Sequence, residues 1–557
     1  MQHRRFSAQD RDTYTAKLSS GEFDLVVIGG GITGAGIALD AASRGLRTVL
    51  VEKGDFASGT SSKSTKLIHG GLRYLKQFDF WLVKEVGAER AIVHKLAPHL
   101  VIPEKMILPL IEGGSYGKWL TSIGLKVYDI LAQVSGDDQR QMLEKKQALK
   151  KEPLLPKKIL KGAGYYAEYR TDDARLTMEN IKTGLQFGTM PINYAQVTDF
   201  LYTEGKVSGV KVTDLINGAD FSIKSKFVIN AAGPWVDELR GINQSKKGKQ
   251  LYLTKGVHLV FPYEKLPVRQ SVYFDIPDGR MMFAIPRGKI TYVGTTDTHY
   301  NGDKDRVGVD LADAIYLISA VNNMFPDIHL EMEDIISSWA GLRPLIYEEG
   351  KSASELSRKD EIFMSSTGLI SIAGGKLTGY RKMAERAVDR VVKKMTEHHD
   401  TKYTPCHTDK ILLCGNVGFK KFKHVKKYID EIQGPLLGEG LDTYDAKYLV
   451  YTYGKQTEMV LGNFSKLRNK DPRVRLIRAE LQFCLAYEMV QNPMDFFIRR
   501  TGRMYFDIDS IKDSMEMVLE DFKRALKVKP SQMKEWRKEL LQSIGAHSNF
   551  SRERDRH

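Results

Sequence analysis

Apolar residues recur along the 557-residue chain in two rhythms. Short, dominantly apolar runs at 25–28, 48–51, 226–229 and 368–373 predict strands buried on both faces of a parallel sheet. Runs at 162–170, 206–226, 257–261, 272–274, 281–285 and 290–293 are turn-punctuated or alternate apolar with polar positions, as antiparallel strands do. Helical spacing predicts one helix between the first two strands and others over 173–188, 310–324 and 374–394. It also predicts two helices over 79–100, from Trp81, Val83, Val86, Ile92, Val93 and Leu96. A further helix over 114–134 carries Trp119, Leu120, Ile123, Val127, Ile130 and Leu131 on one side. Past Met395 and a linker at 403–416, the pattern is helical only.

The first two strands frame Gly29-Gly30-Gly31-Ile32-Thr33-Gly34, which contains G-x-G-x-x-G. Gly29 permits the tight turn, Gly31 lets a pyrophosphate approach the backbone, and Gly34 lets the helix pack closely on the strand. The helix N-terminus, at Ile32 and Thr33, turns its free N–H groups to the phosphates. Glu52 ends the second strand where a carboxylate accepts ribose hydroxyls and disfavours a 2′-phosphate. A dinucleotide site in a Rossmann-like α/β domain follows.

Charge adds a second theme. Eighty-four Lys and Arg against 69 Asp and Glu leave +15, which points to an anionic surface or a phosphorylated substrate. Lys118 and Lys126 flank the 114–134 helix, and Arg140, Lys145, Lys146, Lys150, Lys151, Lys157, Lys158 and Lys161 follow it. Such a pairing suits a helix lying on an anionic lipid surface, and equally a core helix followed by a solvated loop. From Thr401 onward, 29 basic residues face 21 acidic ones, so the helical C-terminal part has a basic face. The clusters 145–161 and 420–427 hold one aromatic, Phe422, which argues against a nucleic-acid groove. Cys406, Cys414 and Cys484 form no C-x-x-C, so neither a zinc site nor a disulfide framework is expected, and a reducing, cytoplasmic setting fits. The N-terminus lacks the apolar stretch of a signal peptide, and no apolar run reaches the ~18 residues of a spanning helix. Any membrane contact is expected to be peripheral, at the inner face of the cell membrane.

Together, the glycine turn, Glu52, Gly59-Thr60-Ser61-Ser62 and His69-Gly70-Gly71-Leu72-Arg73-Tyr74 resemble the N-terminal part of the FAD-dependent glycerol-3-phosphate dehydrogenases. The resemblance continues in order through Asn230-Ala231-Ala232-Gly233-Pro234-Trp235, Thr254-Lys255-Gly256-Val257-His258, Gly294-Thr295-Thr296-Asp297, Gly341-Leu342-Arg343-Pro344-Leu345 and Gly374-Gly375-Lys376-Leu377-Thr378-Gly379-Tyr380-Arg381. It covers nearly the whole chain.

The resemblance implies an FAD-binding domain at 1–100, 161–240 and 347–395, a helical and basic segment at 101–160, a β-rich substrate domain at 241–346, and an all-helical C-terminal domain at 396–557. FAD contacts are then expected from Gly29, Gly31, Ile32, Thr33, Gly34, Glu52, Lys53, Thr60, Ser61, Ser62, Leu67, His69, Gly70, Gly71, Val197, Ala231, Gly233, Gly374, Gly375, Lys376, Leu377 and Thr378. The helix N-terminus at 375–378 stabilises negative charge on the reduced flavin. Arg73, Tyr74, Lys255, His258, Arg343 and Arg358 are expected at the substrate, with arginine forks matching a phosphate. His258, Arg343 and Lys376 are the expected catalytic set, and His69 competes with His258 as the base. The implied reaction oxidises glycerol 3-phosphate to dihydroxyacetone phosphate and passes electrons to a membrane quinone. An oxidase using O2 is the alternative, and the resemblance also admits a homodimer.

Overall fold

Parallel pairing places crossover helices on both faces of a sheet, so its strands must be apolar throughout. Glu22–Ile28 is such a strand: it pairs in parallel with Thr48–Val51 on one side and Asp220–Asn230 on the other. Met190–Ile192 and Ile370–Ala373 extend the sheet in the same sense, and Glu361–Met364 closes one edge antiparallel. The run expected at 226–229 is the end of the longer strand Asp220–Asn230. The other half of that strand pairs antiparallel with Lys206–Asp214, which in turn pairs with Ala195–Thr203. The crossover helix Ile32–Ser43 is buried along nearly its whole length. It packs against Asp173–Gln186 and Tyr380–His398.

These positions come from a computed structural model that describes residues 4–69, 80–114, 139–347, 359–398 and 402–550. Gly70, Gly71, Arg73, Tyr74, Arg358 and residues 115–134 of the expected amphipathic helix lie outside the described residues.

A second sheet runs, in spatial order, through Thr298–His299, Gln250–Pro262, Ile290–Gly294, Met281–Arg287, Ser271–Asp275, Ile102–Ile111, Leu160–Arg170 and Leu67–Ile68. Ser337–Tyr347 lies antiparallel along Gln250–Pro262. Two expectations need correction. Residues 102–111 and 141–144, read as part of a helical segment, are strands paired with Leu160–Arg170; only Lys145–Lys151 of that segment is helix among the described residues. Local spacing misreads them because their partner strand is distant in the chain and Pro103 and Pro109 break the alternation. The two helices expected over 79–100 are one, Phe80–Leu96, since Gly87 alone does not break a helix.

The helical domain comprises Phe422–Gly438, Thr443–Tyr453, Thr457–Phe464, Pro472–Tyr487, Ile508–Leu526, Pro530–Ser548 and shorter turns. Its contact with the nucleotide-binding half is built from buried charge. Arg175 donates both Nη groups to Glu488 at 2.7 and 2.9 Å, and Lys182 reaches the same carboxylate at 2.9 Å. Arg500 forks onto Asp55 at 2.7 and 2.9 Å. Fully desolvated, such pairs are costly to break singly, because the remaining charge stays buried.

His99 sits in this interface at 0 % exposure with neither ring nitrogen hydrogen-bonded, and burial depresses its pKa to about 4. The folded state holds the ring neutral while the unfolded chain protonates near 6.5. Stability from this group is therefore full above about pH 6.5 and is lost as pH falls towards 4, by up to about 3 kcal/mol. His99→Leu is expected to flatten the fall in Tm across that window. An unchanged Tm–pH curve counts against the assignment.

Candidate functional site

A cavity of about 1000 Å³ opens between the two sheets, at the carboxyl ends of the parallel strands. That is where open α/β sheets bind ligands, and its size is at the upper end of the ~300–1,000 Å³ usual for ligand pockets. Of the residues expected at a cofactor, Gly29, Gly31, Ile32, Thr33, Glu52, Lys53, Thr60, Ser61, Leu67, His69, Val197, Ala231, Gly233, Gly374, Gly375, Lys376, Leu377 and Thr378 line it. Gly34 and Ser62 do not line it and act behind the wall. A Cβ on Gly34 would stand 1.8 Å from the Gly29 carbonyl oxygen, so the helix seats directly on the turn. The Ser62 carbonyl accepts from the buried Lys66 ammonium.

The cradle is held open by short side chains. Gly30 N–H donates to Glu52 Oε2 at 2.6 Å and Gly54 N–H to Oε1 at 2.7 Å, fixing the carboxyl at the strand end. Burial pushes the Glu52 pKa up against these two donors. Each oxygen retains capacity for a second donor, as ribose hydroxyls supply. Ile32 N–H donates to Ser61 Oγ at 2.9 Å, and Thr60 Oγ1 donates to the Leu342 carbonyl at 2.7 Å. At one end Val197 stands with Leu215 and Ile242, large apolar side chains that are 48 % and 42 % exposed. That end suits a flat aromatic base. At the other, Gly374 and Gly375 both have φ +79°, a left-handed backbone that bends the chain into the turn before the helix. The residues present thus fit a dinucleotide cofactor along the whole cavity.

Strand pairing builds the remaining wall. In Gln250–Pro262 against Ser337–Tyr347, Thr254 faces Arg343, Gly256 faces Gly341 and His258 faces Trp339, and of these Gly256, His258, Gly341 and Arg343 line the cavity. Arg343 donates to the Thr296 carbonyl (2.9 Å), Asp297 Oδ1 (3.1 Å) and Thr295 Oγ1 (2.8 Å). The Gly-Thr-Thr-Asp segment therefore holds the guanidinium, and Gly256 makes room for it: a Cβ there would stand 2.3 Å from Nη2.

Lys255 has the opposite parity and points away. Its ammonium pairs with Asp310 at 2.7 Å and Asp313 at 2.6 Å, and it does not line the cavity. The expectation that Lys255 meets the substrate is corrected accordingly.

Both candidate bases border the cavity and both are neutral. Burial, then the Arg343 and Lys66 charges, hold His258 well below the usual histidine range. Burial, then Lys376 and Arg90, depress His69 to about 3. The His258 ring stacks on Trp339 at 4.7 Å and 12°, and its Nε2 lies 3.0 Å from Thr65 Oγ1. His69 exchanges backbone bonds with Thr378 Oγ1, both 3.1 Å.

Sequence reasoning passed over several lining residues. Lys63, whose pKa burial and Arg499 lower to about 8, sits in the hydroxyl-rich loop, where its neighbours drew the attention. Arg499 arrives from the helical domain and no local motif marks it. Thr65 follows the Thr-Ser-Ser triplet closely enough that the composition of the loop could have included it.

Such a cradle, with an arginine and two imidazoles in the wall beside it, defines a dinucleotide-binding protein. A family model described as FAD dependent oxidoreductase matches residues 24–381, and one described as C-terminal domain of alpha-glycerophosphate oxidase matches residues 406–533. The aerobic glycerol-3-phosphate dehydrogenase of Bacillus subtilis is 48 % identical over 524 residues, covering 93 % of this chain and 94 % of that protein. That of Staphylococcus haemolyticus is 47 % identical over 542 residues, 96 % of each. The FAD-complexed glycerol-3-phosphate dehydrogenase of Bacillus halodurans has a similar solved structure, with TM-score 0.83 and 42 % identity over 98 % of both chains. The chain belongs to the aerobic glycerol-3-phosphate dehydrogenase family, and its cofactor is FAD. The Mycoplasma pneumoniae L-alpha-glycerophosphate oxidase, 20 % identical with TM-score 0.55 over 69 % of this chain and 96 % of its own, shares the fold.

Proposed function

We propose that the protein oxidises sn-glycerol 3-phosphate to dihydroxyacetone phosphate and delivers the electrons to a membrane quinone. The observation that carries this reading is Arg343: a guanidinium braced by three oxygens, 29 % exposed, in the wall of the cofactor cavity. Its fork matches phosphate oxygens, and Asp297 sets its plane. Arg73, Tyr74 and Arg358 complete the substrate set in this proposal. Bound FAD supplies the hydride acceptor. Gly31, Ile32 and Thr33 hold its pyrophosphate, Glu52 its ribose, Val197 its adenine, and the segment 374–378 its pyrimidine edge, where Lys376 and the helix N-terminus favour negative charge. A neutral imidazole at the cavity takes the hydroxyl proton.

Among the described residues no helix is long and apolar enough to cross a membrane. The proposal places the protein in the cytoplasm on the inner membrane face, with the basic surface against anionic lipid and the segment 114–134 as its apolar contact. The oxidase reading is favoured only by the description of the C-terminal family model. Reoxidation separates the two: substrate-reduced protein is expected to reoxidise much faster with a soluble quinone than with oxygen. Preference for oxygen would establish the oxidase instead.

A further inference from the structure

His258 lines the cavity yet is only 2 % exposed. Nδ1 is buried with no hydrogen-bond partner, while Nε2 is taken by Thr65 Oγ1 at 3.0 Å. Thr65 itself is half-buried and lines the cavity.

Its position is set from every side. Tyr292 Oη–H donates to the Thr65 carbonyl at 3.0 Å, and Trp339 Nε1–H to the Ser64 carbonyl at 3.1 Å. Ser64 and Lys66, its two chain neighbours, both bond the buried Asp173 carboxylate. Thr65 therefore joins a fixed imidazole to the wall of the cavity in which the proposed substrate binds.

The geometry points to Thr65 as the proton relay of the reaction: it receives the substrate hydroxyl proton at Oγ1 and passes its own proton to His258 Nε2. This rests on the glycerol 3-phosphate reading above. In the step, the O–H bond of the substrate breaks as a new O–H bond forms at Thr65. The Thr65 proton moves to Nε2, the C2 hydride leaves for the bound cofactor, and the C–O bond becomes a carbonyl. The imidazolium then returns its proton through Thr65 Oγ1 to water entering the cavity once the product has gone. Burial, and after it the Arg343 charge, oppose protonation of His258 in the free protein. A phosphate dianion paired with Arg343 cancels that charge, so the imidazole becomes more basic when substrate is bound.

His69 is the rival acceptor, because its ring makes no hydrogen bond among the described residues and it borders the same cavity. The test uses FAD-loaded full-length protein, mixed anaerobically with glycerol 3-phosphate and followed by flavin bleaching. Thr65→Val is expected to slow bleaching about 10²-fold or more with substrate affinity nearly unchanged, the loss usual for a positioned proton-transfer group. Thr65→Ser, which keeps the hydroxyl, is expected to restore the rate to within about fivefold. A second readout needs no turnover: in cofactor-free protein labelled with 15N-histidine, Thr65→Val shifts one Nε2 resonance. Wild-type bleaching in Thr65→Val, or equal loss in Thr65→Ser, overturns the relay. If the wild-type flavin never bleaches, the substrate reading fails while the resonance shift still reports on the Thr65–His258 bond.

Discussion

Gly34→Ala is expected to yield protein that purifies almost without FAD. The added Cβ would lie 1.8 Å from the Gly29 carbonyl oxygen and 3.0 Å from its carbon, and no side-chain rotation relieves a clash with backbone. The helix Ile32–Ser43 cannot withdraw either, because Asp173–Gln186 and Tyr380–His398 pack against it. Overpacking of this kind costs about 1–3 kcal/mol or more, here directed into the turn that shapes the pyrophosphate site. Gly31→Ala makes the useful contrast. Its Cβ meets only the Ser61 side chain, Oγ at 3.0 Å and Cβ at 3.9 Å, a tight contact relieved by a small shift that loosens the bond from Ile32 N–H. That variant is expected to fold normally and bind FAD more weakly. The ratio of flavin to protein absorbance after purification, read with Tm, checks both. A Gly34→Ala protein carrying full flavin would contradict the account of the turn.

The second large effect concerns Arg343. Replacement by glutamine removes the fork from a partly buried site and breaks its ion pair with Asp297. Losing a charge-assisted contact to a phosphate is worth ~3–4 kcal/mol, or about 10²- to 10³-fold in kcat/KM for glycerol 3-phosphate. Arg343→Lys keeps the charge but not the planar fork, and is expected to recover only part of the loss. Glycerol, which lacks the phosphate, supplies the control: any turnover of it at high concentration is expected to be unaffected. An equal fall for both substrates would mean that Arg343 shapes the site rather than grips a phosphate.

Much of the fold was legible because its determinants are local. Gly29, Gly31, Gly34 and Glu52 lie within one strand-turn-helix-strand unit, where each residue type answers a steric or charge requirement of its neighbours. Helical spacing likewise marked Asp173–Gln186 and Leu311–Met324 closely. What escaped was set by distant pairing. Ile102–Ile111 becomes a strand only because Leu160–Arg170 lies beside it. Asp55 looks like a loop residue until Arg499 and Arg500 reach it from the helical domain. Lys255 is a different kind of miss. The expected strand began at 257 and left Lys255 outside it; the observed strand Gln250–Pro262 carries both Lys255 and His258, and residues three apart on a strand face opposite ways. The Thr295–Asp297 segment belonged to a recognised motif, but its task of bracing Arg343 is visible only in the folded chain.

The most direct test of the central claim is an anaerobic titration of the FAD-loaded protein with glycerol 3-phosphate, watching the visible flavin band, with glycerol as the parallel titrant. Complete bleaching by the phosphorylated substrate at concentrations where glycerol has no effect is the predicted result. A flavin that stays oxidised with glycerol 3-phosphate, or bleaches equally with glycerol, would contradict it.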